Sequence, residues 1–419
     1  MSVVVFFISN LIMHFSTTVA TIAVAATSAS AAAIPSWDPD NSLWANGVPS
    51  NYSMGIMNPY VTASSNGSAV CINGIVPVYA ATSMNVQLNL SEPANETVVT
   101  ELVVEMLQAG STLMEDVVGK TSNVSGTYNI SVALCYPRAT GINASAVQLL
   151  THGVGFAKSY WDAAPSYSYV DSAAANGYTT LSYDRLGVGL SSRPDPIQVV
   201  QAPLEMMVAH QLVQMLRNGS MASTTFSNVI GVGHSFGSII TQALTKTYPS
   251  DLSAAVLTGY SLSESGVPTF LTSLDLDIAN QNDPIRFSGI ANGYLVADNS
   301  IGNQFAFFRL PGFPPQNLAL AEATKDTVTL GELFTLGAIG GNTTYTGPVD
   351  VVDGSNDWPF CMGNCTYPTN LAAAVKSLYP NSRNFSSYIV PLSGHGINLH
   401  YYADAAFAQI QAFLKGNGL

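Results

Sequence analysis

Three residue types in this chain could cooperate in chemistry: a serine held between two glycines, a histidine in a glycine-flanked loop, and a pair of aspartates that follow an apolar run. Ser235 lies in Gly233-His234-Ser235-Phe236-Gly237, a G-x-S-x-G pattern. A β-like apolar run beginning at Val229 leads into it, and helix-like sequence from Ser238 to Thr247 follows. A sharp strand-to-helix turn would lift the hydroxyl clear of a sheet edge, and the two glycines leave room for backbone that crosses close by. The helix that starts there would aim its first free N–H groups toward charge developing near Ser235. Such a serine is a nucleophile for a carbonyl carbon, provided that a base and an orienting acid reach it. The plain alternative is a structural serine in a glycine-rich turn.

Six histidines are available as the base. His14 falls in an apolar N-terminal stretch and His210 inside a helix pattern. His234 occupies the variable position of the serine motif. His152 opens a His-Gly turn after a strand, where it would hold the loop. His395, in Ser393-Gly394-His395-Gly396 between the last strand and the last helix, is the expected base, with His400 as the remaining candidate. For the acid, the run Val349 to Val352 continues into Asp353-Gly354-Ser355-Asn356-Asp357. Asp353 is tied to the two-residue pleat of the strand. Asp357 follows a turn and can reach back over the strand end, so it is preferred; either aspartate could instead be a turn former. The backbone N–H groups of Phe236 and Val154 are the expected oxyanion donors. The loop with Gly187 and Gly189 lacks the G-x-G-x-x-G pattern of a phosphate cradle and reads as a tight turn beneath the site. No cofactor is called for. Phe156, Tyr160, Trp161 and Trp358 are candidate substrate-pocket residues.

Positioning these groups requires a sheet whose strands end at them. Short apolar runs at 147–150, 178–183, 229–234, 254–259, 349–352 and 387–390 alternate with helix-like segments at 203–217, 238–247, 371–378 and 401–414. Strands separated by helices of this length imply a parallel sheet, with active residues at the strands' carboxyl ends. Earlier segments differ. Residues 72–90 read as strand with a break at Pro77, 96–107 as a short helix, and 127–136 as an alternating strand. Residues 34–70, rich in Pro, Asn, Ser and Gly, read as an extended surface arm. Residues 261–346 interrupt the rhythm, carry many aromatics and a helix-like stretch at 318–325, and read as a cap inserted over the site.

Charge is sparse: 13 Lys+Arg against 26 Asp+Glu gives a formal net charge of -13. That balance offers no basic patch for nucleic acid and repels strongly anionic substrates. The first 31 residues read as a secretory signal peptide with an A-x-A-like end between Ala25 and Ala33, without a basic n-region; Met13 is an alternative start, and a membrane anchor is the rival reading. No other segment is long and apolar enough to span a bilayer, so no stable span is expected after signal cleavage. Eleven N-x-S/T sequons, at Asn51, Asn66, Asn89, Asn95, Asn123, Asn129, Asn143, Asn218, Asn342, Asn364 and Asn384, imply N-linked glycans in a secreted, extracellular protein. Four cysteines allow three pairings. Cys71–Cys135 with Cys361–Cys365 is expected, because the second pair is so close in sequence. Metal ligation is the weaker alternative: two cysteines are isolated and no histidine clusters near them.

Thr151-His152-Gly153, Tyr183-Asp184-Arg185-Leu186-Gly187-Val188-Gly189, the Ser235 motif, Gly354-Ser355-Asn356-Asp357 and Gly394-His395 together resemble the α/β-hydrolase superfamily, and within it the secreted fungal hydrolases with an N-terminal extension and a lid. The resemblance spans a little over half of the chain. It implies a mostly parallel sheet of the eight-stranded type flanked by helices, with a nucleophile at Ser235, acid at Asp357, base at His395 and oxyanion donors at Val154 and Phe236. The chain order Ser, Asp, His is that of this fold. The departure is at Asp184-Arg185-Leu186-Gly187, where many relatives have Arg-Gly directly; a modest loop change is expected. A serine nucleophile argues against epoxide hydrolases and haloalkane dehalogenases, which use aspartate. The expected divisions are signal 1–31, extension 32–70, core 71–260, cap 261–346 and core 347–419. Members of the superfamily cleave esters, lactones or amides, and a few catalyse lyase or cyclase steps, so fold alone does not choose. The leading expectation is a secreted serine esterase acting on a neutral ester or lactone. A lipase or peptidase on the same triad is one rival, and a binding protein that keeps the fold is another.

Overall fold

Among the described residues, two sequence patterns build two halves of a nine-stranded sheet. Alternation builds β2 (Ala69–Leu88) and β3 (Val118–Pro137) of the first half, which pair antiparallel, and β1 (Met57–Ala63) adds antiparallel along the edge of β2. Near-continuous apolar runs build the second: β4 (Ala146–Thr151), β5 (Thr179–Tyr183), β6 (Asn228–His234), β7 (Ala254–Thr258) and, past an insertion, β11 (Val349–Gly354) and β12 (Phe385–Val390). The sheet order is β1-β2-β3-β5-β4-β6-β7-β11-β12, and every pairing from β5 to β12 is parallel. Strands in a parallel sheet with both faces covered bury both sets of side chains. Accordingly β4, β5, β7 and β11 are buried at every position, and β6 at all but Asn228. The edge strand β12 is only half-buried. The computed structural model describes residues 50–141, 145–222 and 224–419, all of which fall within one unit. The signal-peptide reading and the sequons at Asn51 and Asn143 concern residues or side chains outside that description.

Chain order reverses at β4, which lies between β5 and β6. At such a switch point the loops leaving the carboxyl ends diverge and open a crevice. His152 follows β4 and Ser235 follows β6, so the motif serine stands at that crevice.

Three local expectations change. The surface arm is in part a strand: β1 is largely exposed but pairs along the edge of β2. Its turn is clasped by buried Asp171, which accepts hydrogen bonds from the Asn66 and Ser68 N–H groups and from Ser64 Oγ. Pro77 does not break β2. The β1 pairing ends at Ile75, so among the described residues no strand pairs with β2 on that side at the proline, which needs no N–H there. The insertion between β7 and β11 contains a small antiparallel sheet, in the order β10-β9-β8, formed by β8 (Leu276–Ile278), β9 (Tyr294–Ala297) and β10 (Val328–Thr329). Strands of two to four residues are too short for alternation to register in sequence. Its main helices are Val267–Leu274, Ser300–Phe307, Pro315–Thr324 and Leu330–Thr335. The helix Glu96–Leu107, within the β2–β3 excursion, packs against β8 and Val267–Leu274.

Candidate active site

Ser235 has φ 55° and ψ −119° and caps the helix Phe236–Thr247. A non-glycine residue at positive φ is strained and persists only where surroundings hold it. Here its N–H donates to Thr258 O at 2.9 Å, and Ser238 Oγ donates to the same oxygen at 2.8 Å. The flanking glycines are dictated by close approach: a Cβ on Gly237 would meet Thr151 O at 2.0 Å, and one on Gly233 would meet Gly237 O at 2.3 Å. A Cβ on Gly153 would lie 2.7 Å from Ser235 Cβ, so the His-Gly turn after β4 presses directly on the serine.

β11 runs to Gly354, which leaves Asp353 inside the strand and Asp357 beyond it. Asp357 Oδ2 lies 2.5 Å from His395 Nδ1, and Asp357 Oδ1 accepts the Phe360 N–H at 2.9 Å. Both side chains of the pair are fully buried. Asp353 Oδ1 instead accepts the Tyr260 N–H at 2.6 Å. Burial, then the charge of nearby Asp357, pushes the Asp353 carboxyl well above its ordinary range, so it keeps a proton where Asp357 engages histidine. Nε2 of His395 is buried and has no hydrogen-bond partner among the described residues. The acid and base loops touch: a Cβ on Gly354 would sit 2.3 Å from Gly394 O.

The other described histidines, four in number, are spent on structure, and His14 lies outside the described residues. His400 Nε2 accepts from the N–H groups of Gly394 and Arg309, and its Nδ1–H donates to Gly396 O at 2.9 Å. Burial lowers it to about 4, which makes it a neutral brace for the His395 loop. His152 accepts the Arg185 N–H at Nε2 and donates from Nδ1 to Gly153 O; burial, then the charge of Arg185, lowers it to about 3. His234 donates to Thr258 Oγ1 and stacks on Tyr160, with ring centroids 4.5 Å apart. His210 is engaged by Asp251 and stacks on Tyr248.

Among the described residues, neither the Val154 nor the Phe236 N–H is taken by another group, and Phe236 N–H opens the helix behind Ser235. Aromatic rings wall the site. Phe307, from the insertion, stacks on His395 at 6.0 Å and packs on Phe156 at 4.8 Å; Phe270 and Phe360 also flank His395. A cleft of about 490 Å³, lined by Phe305, Phe308, Leu310 and Trp358 with Gln304 and Arg309, reaches His395. Trp358 meets Phe305 edge-on across it at 5.2 Å. Phe156 and Tyr160 border a much smaller hollow. Trp161 is not a pocket residue: it is fully buried, wedged edge-on between Tyr160 and Tyr169. The structure pairs Cys71 with Cys135 and Cys361 with Cys365. Asp353 lies close to the second pair, but those sulfurs are bonded to each other and offer no thiolate to a metal.

Sequence reasoning missed one group altogether. Arg185, Glu205 and Glu332 form a buried ion cluster behind the Gly153 turn. Only 9% of residues are charged, but nothing in the sequence marks these three as buried or links them to one another.

The family model for the "Alpha/beta hydrolase family" matches residues 148–410, and the chain belongs to that family. No curated protein matches it by sequence. Solved structures similar to it include an alpha/beta hydrolase fold protein from Chitinophaga pinensis (16% identity, 68% of this chain and 94% of that one, TM-score 0.46). An epoxide hydrolase from Vigna radiata is similar over 69% of this chain and 95% of that one (13% identity, TM-score 0.47). A thermophilic esterase from Thermogutta terrifontis is similar over 69% and 94% (12% identity, TM-score 0.45). Among the described residues no helix is long and apolar enough to cross a membrane.

Proposed function

We propose that this α/β hydrolase is a secreted serine esterase that cleaves a neutral carboxylic ester or lactone through an acyl-enzyme. The observation that carries the reading is the buried Asp357–His395 pair, whose Nε2 has no hydrogen-bond partner among the described residues, together with a strained serine at the switch point. Ser235 Oγ attacks the carbonyl carbon while its proton passes to His395 Nε2. The resulting oxyanion accepts the Val154 and Phe236 N–H groups, and losing one such donor costs about 3–4 kcal/mol of transition-state stabilisation. His395 returns the proton to the leaving alkoxide. Water, deprotonated by the same nitrogen, then releases the acid and restores Ser235. Asp357 holds Nδ1–H and stabilises the imidazolium.

The aromatic cleft supports an apolar group on the ester, and the net charge of -13 supports a neutral one. Contacts of Phe307 and Phe270 with His395 support residues 261–346 as a cap between core segments 71–260 and 347–419, with 32–70 as an extension. Nine sequon asparagines with described side chains are all exposed, and both cysteine pairs are bonded; these support secretion, N-linked glycosylation and a signal peptide over 1–31. The test is a fluorophosphonate probe together with p-nitrophenyl esters of graded chain length, lactones and amides. Labelling should vanish in Ser235→Ala and kcat should fall by several orders of magnitude with an unchanged circular dichroism spectrum. Retained hydrolysis in that variant would end the serine mechanism.

A further inference from the structure

One guanidinium touches both halves of the oxyanion-donor pair. Arg185 follows β5, its side chain wholly buried. Its backbone N–H donates to His152 Nε2 at 3.0 Å, and His152 Nδ1–H donates to Gly153 O at 2.8 Å. Arg185 Nη2 lies 3.5 Å from that same oxygen. The Gly153 carbonyl and the Val154 N–H are the two ends of one trans peptide and point in opposite directions. Fixing the oxygen therefore fixes the direction of the N–H, and hydrogen bonds to the carbonyl polarise the amide in the sense that strengthens its donation. On the other side, the guanidinium carbon lies 4.5 Å from the Phe236 ring centroid, seating the residue that supplies the second N–H.

What holds the guanidinium reaches into the insertion. Nη1 binds Glu205 at 2.6 Å, from the helix Ala202–Asn218, and also Glu332, from the helix Leu330–Thr335. Glu332 is itself fixed by a capping box: its Oε2 accepts the Thr329 N–H at 2.6 Å while Thr329 Oγ1 accepts the Glu332 N–H. Burial, against the pull of the Arg185 charge, pushes the Glu205 carboxyl well above its ordinary range. A buried Arg between two carboxylates is weak evidence for stability, because apolar residues of like volume serve as well or better. Its contacts with Gly153 and Phe236 supply the reason that stability does not.

We propose that Arg185 is a positioning residue for the oxyanion hole and that Glu332 sets it, so that a relay from the insertion through Arg185 and His152 aims the Val154 N–H at the developing charge. This rests on the serine-esterase reading. It makes the insertion part of the chemistry: a shift that withdraws Glu332 loosens the hole without touching Ser235, Asp357 or His395.

The test compares Glu332→Gln, His152→Leu and His152→Asn with the unmutated protein, and uses Glu322→Gln, in the helix Pro315–Thr324, as a control in the same insertion. The readouts are kcat and KM on an accepted p-nitrophenyl ester, the Ki of an alkylboronic acid that forms an anionic tetrahedral adduct with the serine, fluorophosphonate labelling, and Tm. Glu332→Gln and His152→Leu should each lower kcat by about tenfold or more, with KM within about twofold and the boronate Ki rising by the same factor as kcat falls. His152→Asn, whose amide N–H can still reach Gly153 O, should recover most of that loss, and Glu322→Gln should change neither quantity. A lower Tm with kcat per labelled site and boronate Ki unchanged would overturn the proposal. If Glu332→Gln fails to fold, the His152→Leu and His152→Asn pair decides by the same measures. Failure of the probe to label the unmutated protein removes the esterase reading itself, and this proposal with it, before any variant is compared.

Discussion

The two aspartates at the end of β11 differ in what they can lose. Asp357 carries the hydrogen bond to His395 Nδ1, so Asp357→Asn offers the imidazole the wrong partner, as in serine proteases, where the equivalent change costs about 10⁴ in kcat. Asp353 keeps its proton, and its one described hydrogen bond is accepted from the Tyr260 N–H. Asparagine preserves that acceptor and cannot ionise. Asp353→Asn should therefore keep kcat within a few-fold, with Tm at neutral pH unchanged or raised, while Asp357→Asn is crippled at unchanged Tm. Kinetics and melts of the two variants check this, and a crippled Asp353→Asn beside a near-normal Asp357→Asn reverses the assignment. That Asp357 rather than Asp353 reaches His395 was readable in sequence, because three turn residues separate it from Asp353 in the strand. The Arg185 cluster was not, since its carboxylates lie 20 and 147 residues away and no spacing rule joins them.

Elements were legible where their pattern is long. The helix Glu96–Leu107, the alternating β3 and the buried runs β4 to β7 follow apolar periodicity over several residues. β1 and β8 to β10 did not announce themselves, because pairing to an existing edge, rather than an intrinsic pattern, makes them strands. The loop after β11 shows a further level, at which short-range bonds set chemistry. Cys361 and Cys365 close a tight ring in it, Cys365 N–H donates to Ser355 O at 3.2 Å, and Gly363 N–H donates to Asp357 O at 2.8 Å. So short a disulfide ring contributes at most about 2 kcal/mol by chain entropy. Its larger effect falls on the geometry of Asp357 and of Trp358 at the cleft. Replacing both cysteines by alanine should lower Tm by only a few degrees yet reduce kcat several-fold, as read from activity per fluorophosphonate-labelled site. An unchanged kcat with a large fall in Tm would make the bond a global staple instead.

Over the whole molecule, buried titratable groups of opposite sense shape stability against pH. Burial raises Asp350 to about 6, and raises Asp353 and Glu205 well above their ordinary values. Glu96, raised to about 7 by burial and then by Asp277, is only partly buried and weighs less. In each case the folded chain keeps a proton that the unfolded chain releases above about pH 4, so this stability is full at low pH and is lost as pH rises toward the folded value. His152, His234 and His400 act oppositely. Burial lowers all three, so the unfolded chain binds protons below about 6.5 that the folded chain refuses, and stability is lost as pH falls. The two slopes oppose each other between about pH 4 and 6.5. Above that window the histidines contribute nothing further, whereas Asp353 and Glu205 continue to weaken the fold, and self-repulsion from a net charge of -13 acts in the same direction. Tm should therefore be nearly level from about pH 5 to 6.5 and fall toward pH 9. Asp350→Asn isolates one contributor. Its Tm relative to the unmutated protein should rise between pH 4 and 6, where Asp350 changes from a stabilising to a neutral or costly carboxyl, and stay constant above. A difference in Tm that is flat across that window would mean that Asp350 titrates as an ordinary surface carboxylate and that burial in β11 does not hold its proton.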